Sequence, residues 1–172
     1  MTTPMGKPRP PIPKALQLSI FRESKWLCHW CDRPVIFAPV MRLLEREIRK
    51  AGRTEPLAYF NAHGTRAGAP LLDELWGVVD HIEAHATGGT SDKDNLTTAC
   101  NRCNMRKSSA SLRKWGGREV RQPVRSKYGR PEHWDGLSAV FVVFAEGDKD
   151  KLSPSDREWL KVLTGGQAPK SP

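Results

Sequence analysis

Two short segments of identical spacing constrain this chain most: Cys28-His29-Trp30-Cys31 and Cys100-Asn101-Arg102-Cys103. They hold all four of its cysteines, so no thiol is left over. A C-x-x-C turn offers two thiolates to one ion, and two such turns complete the tetrahedral shell of a structural zinc. The alternatives are a redox pair and buried free thiols. A redox C-x-x-C wants a βαβ setting, which neither pair has. A disulfide framework belongs to oxidising compartments. The start "MTTPMGKPRPPIPKA" has no apolar segment behind its basic residues, so no secretory signal is expected. Structural zinc is the expectation, and it brings residues 28–31 and 100–103 together in space.

The chain of 172 residues suits one compact domain with extensions. At 38% hydrophobic residues the core is modest, and 14 glycines with 14 prolines point to a loop-rich fold. No apolar stretch approaches the roughly 18 residues of a membrane span, so a soluble, cytoplasmic chain without membrane contact is expected. The net charge of +9 favours a polyanionic partner. Nearly all of that excess lies between Arg106 and Arg130, where nine basic residues face one acid, Glu119. A merely solubilising surface would mix both signs. The run is a phosphate-binding candidate, and Arg106, Lys107, Arg113, Lys114, Arg118 and Arg121 are its nearest members to the second knuckle. Trp115 inside it could stack on a base.

Residues 1–14 read as a disordered, basic, proline-rich tail. A short element over 16–37 leads into the first knuckle and then a short strand. Val40, Leu43, Leu44 and Ile48 recur at helical spacing, which predicts a helix over 38–52 with Pro39 near its start and Gly52 as its stop. Residues 53–70 read as loop. A short helix or turn around Leu72 to Trp76 gives way to a strand at Val78 to Ile82, and a polar, Gly-rich loop occupies 83–94. The chain is extended again at Leu96 and turns helical from Asn101, an acceptable N-cap. Residues 116–131 form a basic linker. The apolar run within 132–147 fits a buried helix or a strand. In "SPSDREWLKVLTGG" Ser153 is the N-cap, Pro154 the first helical residue, Asp156 the capping-box partner and Gly165 the stop.

Against that background "VVDHIEAHATGG", residues 78–89, stands out. It ends a β-branched strand on two ionisable side chains, Asp80 and His81. Asn95 follows fourteen residues after His81, and Asn104 comes directly after Cys103. The stretch "DHIEAHATGGTSDKDNLTTACNRCNMRK" (80–107) resembles the HNH endonuclease family, whose pattern is Asp-His, then a "GG…NL" segment, then C-x-x-C-[H/N]-x-x-K. Together with the knuckle at 28–31 the resemblance covers roughly half of the chain. The third position of the motif, often His, is Asn104, which makes this a His-Asn-Asn variant. Ser108 stands where some branches carry another metal-binding His, so a His-rich, zinc-centred catalytic site is not expected.

The resemblance implies an α+β fold: a ββα-metal core with a structural zinc built from the two knuckles, a helical insertion and a C-terminal helical extension. The expected organisation is a tail at 1–14, a nuclease domain at 15–115, a linker at 116–131 and the extension at 132–172. It also implies metal-dependent hydrolysis of DNA phosphodiester bonds, leaving a 5′-phosphate, in a bacterial or phage setting; RNA is not excluded. Asp80 and Asn104 offer hard oxygen ligands that suit Mg²⁺ or Mn²⁺. His81, pointing to the other side of the strand, is the expected general base. By the resemblance, Asn95 ties the loop backbone together and orients His81, while Arg106 and Lys107 contact phosphates beside the scissile one. His85, four residues from His81, either approaches substrate or faces solvent. Two other readings stay open: a zinc-knuckle nucleic-acid-binding protein without catalysis, and a phage or defence assembly component docked on a larger protein. Double-strand cutting by one site would call for a homodimer or two successive nicks.

If the cysteines hold the fold together, Cys100→Ser should lower the melting temperature and abolish cleavage, and zinc chelation should unfold the chain. Withholding Mg²⁺ should stop the reaction alone. Thermal melting run beside a cleavage assay checks both; an unchanged Cys100→Ser variant would refute the structural role.

Overall fold

A computed structural model describes residues 11–52, 75–108 and 133–165. The insertion at 53–74 and the basic run at 109–132, with Arg113, Lys114, Trp115, Arg118 and Arg121, lie outside the described residues.

Helix α1 (Lys14–Glu23) buries Leu18, Ile20 and Phe21. The chain then turns through Lys25 and Trp26, both with positive φ, into the first knuckle. Leu27 bridges Pro34 across that knuckle, and strand β1 (Ile36–Phe37) leads directly into helix α2 (Ala38–Lys50), with Pro39 in its first turn. Strand β2 (Trp76–His81) and strand β3 (Leu96–Cys100) form an antiparallel pair, and helix α3 (Asn101–Lys107) follows β3 at once. This β2-β3-α3 unit is the ββα fold. The sheet order is β1-β2-β3, with β1 parallel to β2. The register sets Asp80 opposite Thr97 and His81 opposite Leu96, which puts both ionisable residues at the end of the hairpin next to its long loop.

Three sequence-based boundaries move. Strand β2 begins at Trp76, two residues before the expected Val78, because Trp76 and Gly77 pair with Ile36 and Phe37 of β1. The N-cap of α3 is Cys100, whose sulfur accepts from the Cys103 amide at 3.5 Å. Asn101 is therefore the first helical residue, because the knuckle itself supplies the cap. Helix α2 ends at Lys50, and Gly52 follows in a left-handed conformation.

Every residue of β3 is buried although β3 ends the sheet order. Helix α1 and the first knuckle cover it. The Thr98 hydroxyl, fully buried, accepts from Ser24 Oγ at 2.7 Å and donates to the Ile20 carbonyl. The His29 amide donates to the Thr98 carbonyl at 2.8 Å. A strand edge that would otherwise expose unpaired backbone is closed by these bonds.

The apolar run resolves as helix α4 (Ser138–Gly147), followed by helix α5 (Pro154–Gly165). At the start of α5, the Asp156 amide donates to Ser153 Oγ, the N-cap bond, and that hydroxyl donates to the Asp156 carboxylate, so the expected Ser153–Asp156 pair meets through the serine hydroxyl. Asp156 also accepts from Arg42 of α2 at 2.7 Å. Both C-terminal helices share one core with the ββα unit. Phe37 is its hub: 1% exposed, it meets Trp26, Phe141 and Trp159 edge-on, the last two with ring centroids 5.3 and 4.9 Å away. Because Phe37 joins the knuckle turn to α4 and α5, Phe37→Ala should cost about 3–5 kcal/mol. Urea unfolding should show one transition moved to lower denaturant, with α4 and α5 melting together with the rest.

Candidate metal centres and active site

The four cysteines meet. Their sulfurs all lie within 4.8 Å of one another, and three of the four residues are buried. A zinc–thiolate bond of about 2.3 Å in a tetrahedron requires sulfurs about 3.8 Å apart; Cys31 Sγ and Cys100 Sγ are 3.8 Å apart. The donor set and spacing fit zinc. Hydrogen bonding to Cys100, then to Cys103 and Cys31, pushes the Cys28 thiol up, with burial adding to it. Hydrogen bonds from Cys103 and Cys28 pull Cys100 down. A bound cation would replace the thiol protons and let all four sulfurs ionise. His29, which lies inside the first knuckle, has its imidazole lowered by desolvation against the opposite pull of Asp80.

The knuckles carry more than sulfur. Trp30, between Cys28 and Cys31, is buried, and its Nε1–H donates to Asp80 Oδ2 at 3.1 Å. Four residues beyond Cys103, Lys107 of α3 turns inward. It is 1% exposed, and its Nζ lies 3.3 Å from Asp80 Oδ1 and 2.6 Å from the His81 carbonyl oxygen. The ammonium also lies 5.7 Å from the Trp30 ring centroid. Lys107 was expected on a substrate phosphate. In the structure the last turn of this seven-residue helix sets the ammonium against the buried Asp80 carboxylate. Arg106, one position away, faces solvent.

A pocket of about 550 Å³ opens over this end of the hairpin. Asp80, His81, His85, Asn104, Met105 and Lys107 are among its lining residues. Asp80 and His81, adjacent on β2, thus converge with Asn104 of α3 on one cavity, and His85 joins them with its ring centroid 6.3 Å from that of His81. His81 Nε2 lies 3.0 Å from the Ser91 hydroxyl. A carboxylate offers about four lone-pair sites; the bonds from Trp30 and Lys107 take one on each oxygen of Asp80. The remaining oxygen lone pairs, with the Asn104 amide in the same pocket, are hard donors of the kind a Mg²⁺ ion accepts while keeping several waters.

Asn95 is the clamp of the loop. Its Oδ1 accepts from the Glu83 amide at 2.8 Å, and its Nδ2 donates to the carbonyls of Glu83 and Thr90 at 3.1 and 2.7 Å. The Ile82 amide donates to the Asn95 carbonyl, which continues the ladder one residue past His81. The two glycines serve the same clamp. Gly88 has φ +99, and a Cβ on Gly89 would stand 2.0 Å from the Glu83 carbonyl oxygen and 2.8 Å from Asn95 Nδ2.

Trp30 and Ser91 escaped the sequence reading. Trp30 carried a signal, its place between two knuckle cysteines, but an indole there reads first as core. Ser91 carried none, since a serine in a polar loop is unremarkable.

Residues 76–110 match the family model of HNH endonucleases. The matched segment runs from the start of β2 to just past α3. No curated protein and no solved structure matches the chain.

The clamp yields a prediction. Asn95→Ala leaves Glu83 and Thr90 backbone groups unpaired at a cost of about 1–3 kcal/mol, and Gly89→Ala should do comparable damage through its clash. Both should raise amide hydrogen exchange across 82–91 while the knuckles keep their protection.

Proposed function

We propose that this chain, with an HNH endonuclease segment at residues 76–110, hydrolyses phosphodiester bonds in DNA. One observation carries the reading: a carboxylate, an imidazole and a carboxamide, Asp80, His81 and Asn104, line a single pocket at the end of a ββα hairpin. Each residue has a part that its position supports. Asp80 and Asn104 would hold the divalent ion through oxygen. Bound there, a Mg²⁺ or Mn²⁺ ion would supply positive charge against the phosphate oxygens in the transition state and assist the leaving oxygen.

His81 is the general base. Its Nε2 lies 3.0 Å from the Ser91 hydroxyl; in the tautomer that donates from Nε2 to Ser91, Nδ1 carries the lone pair that would take the proton from the attacking water. The Lys107 ammonium holds the His81 carbonyl, and the Ile82 amide is bonded to Asn95, so the backbone on both sides of the imidazole is anchored. Asn95 serves as a positioning residue through the loop it closes. His85, on the rim, is placed to meet a substrate oxygen. Arg106, on the outer face of α3, is the described cation closest in sequence to the pocket and would guide the phosphate backbone toward it. Arg113, Lys114, Arg118 and Arg121 would extend that path by their charge.

Cleavage of supercoiled plasmid tests the proposal. Zinc-loaded wild type should nick it with Mg²⁺ or Mn²⁺ and not with EDTA. His81→Ala should lower the rate by about 10²–10⁴-fold, the range of general-base catalysis, with melting unchanged. Ser91→Ala should cost less, since it loosens the imidazole without removing it. Retention of wild-type rate by His81→Ala would overturn the assignment. A folded, zinc-loaded wild type that binds DNA and cuts neither plasmid nor short duplexes would favour a zinc-knuckle binding protein instead.

A further inference from the structure

Among the described residues that line the pocket, Asp80 and Lys107 are the only carboxylate and the only ammonium. They face each other at 3.3 Å, and both are buried, at 8% and 1% exposure. The pair brings no net charge to the place where the proposed function puts a divalent ion. Histidine and asparagine ligands add none. Bringing a doubly charged, strongly hydrated ion into a site of zero net charge costs desolvation without a matching Coulomb gain. The arrangement also leaves room for an anion: with Asp80 already balanced, a phosphodiester brings the negative charge that the ion lacks. We propose that Lys107 is a built-in counter-ion that keeps the Asp80 site from taking up a divalent cation until a nucleic-acid phosphate arrives, so that metal and substrate bind as one cooperative event.

The inference rests on the reading of Asp80 as a metal ligand and deepens it. The contacts of Lys107 favour the counter-ion role over the simpler one of a phosphate contact. Its Nζ is committed to the His81 carbonyl at 2.6 Å and to Asp80, and Trp30 covers it. Lys107 is thus a positioning residue, acting through Asp80. Linkage makes the effect reciprocal: whatever factor DNA adds to metal affinity, the metal adds to DNA affinity.

The test reads metal binding rather than turnover. Loss of the free Mn²⁺ paramagnetic resonance signal would be followed on zinc-loaded full chain carrying His81→Ala, so that DNA stays intact. Titrations would be run alone and with a short duplex, after subtraction of Mn²⁺ bound by duplex alone. The duplex should tighten Mn²⁺ binding about tenfold or more, a typical coupling. Lys107→Met should tighten Mn²⁺ binding to the DNA-free chain by a similar factor and shrink the coupling. Lys107→Gln, which keeps a donor for the His81 carbonyl, guards against a fold defect and should act the same way. Equal Mn²⁺ affinity with and without duplex would overturn the proposal, as would folded Lys107→Gln with unchanged DNA-free affinity. Asp80→Asn separates the two levels. If it abolishes Mn²⁺ uptake in the complex while Lys107→Gln has no effect, Asp80 is the ligand and the counter-ion role falls. If Asp80→Asn leaves uptake in the complex intact, the metal reading falls and this inference with it.

Discussion

Four sulfurs within 4.8 Å of one another hold the two ends of this architecture together. Cys31 and Cys100 are 69 positions apart in the chain, yet their sulfurs stand at the separation a tetrahedral zinc would impose. Two sides of the candidate site hang from that junction. Cys100 caps α3 and Cys103 sits in its first turn, so the cluster sets the direction of a helix too short to be stable alone. That helix brings Asn104 to the pocket and Lys107 to Asp80. The other knuckle brings Trp30 to the opposite oxygen of the same carboxylate. A structural ion here would not only stabilise the fold; through Trp30 and α3 it would hold both sides of the proposed ligand.

The second organising device is the loop between His81 and β3. It is long, polar and largely exposed, and would wander without a tether. Asn95 provides one by imitating a strand: one side chain makes three backbone bonds, to Glu83 and Thr90. The close approach this demands leaves no space for a side chain at Gly89. The tether keeps Ser91 beside His81 and keeps His85 on the rim of the pocket. Rigidity in the loop is thus converted into orientation of an imidazole.

Charge is divided between two tasks. The chain as a whole carries +9, while among the described residues the pocket pairs a single carboxylate with a buried ammonium. On the proposed function, long-range attraction for a polyanion would come from the chain's excess positive charge, most of it in the basic run. The pocket, balanced inside, is set for an ion that arrives with its phosphate. Binding affinity and reaction chemistry would then respond differently to salt, since surface charges are screened and the buried pair far less so.

The sequence alone determined the chemistry of the parts. Four cysteines in two matched turns announce a closed metal shell, the Asp-His pair after a β-branched strand announces a site, and the spacing to Asn95 and Asn104 places them in the HNH pattern. Those signals are local: each depends on residue type and on a separation of a few positions. The capped helix at 154–165 was legible for the same reason. What only the tertiary structure decided is which groups face inward. Lys107 occupies the lysine position of the C-x-x-C-[H/N]-x-x-K pattern, yet that pattern fixes its place in the chain and not the direction of its side chain. It is buried because a three-dimensional neighbour, Asp80, is 27 positions away and has no other counter-charge in the pocket among the described residues. Trp30 likewise takes its role from Asp80, 50 positions distant. An apolar run such as 138–147 does not by itself choose between helix and strand; in the structure it is a helix whose Phe141 packs on Phe37. Burial and pairing over such distances are settled by packing, and a linear pattern does not encode them.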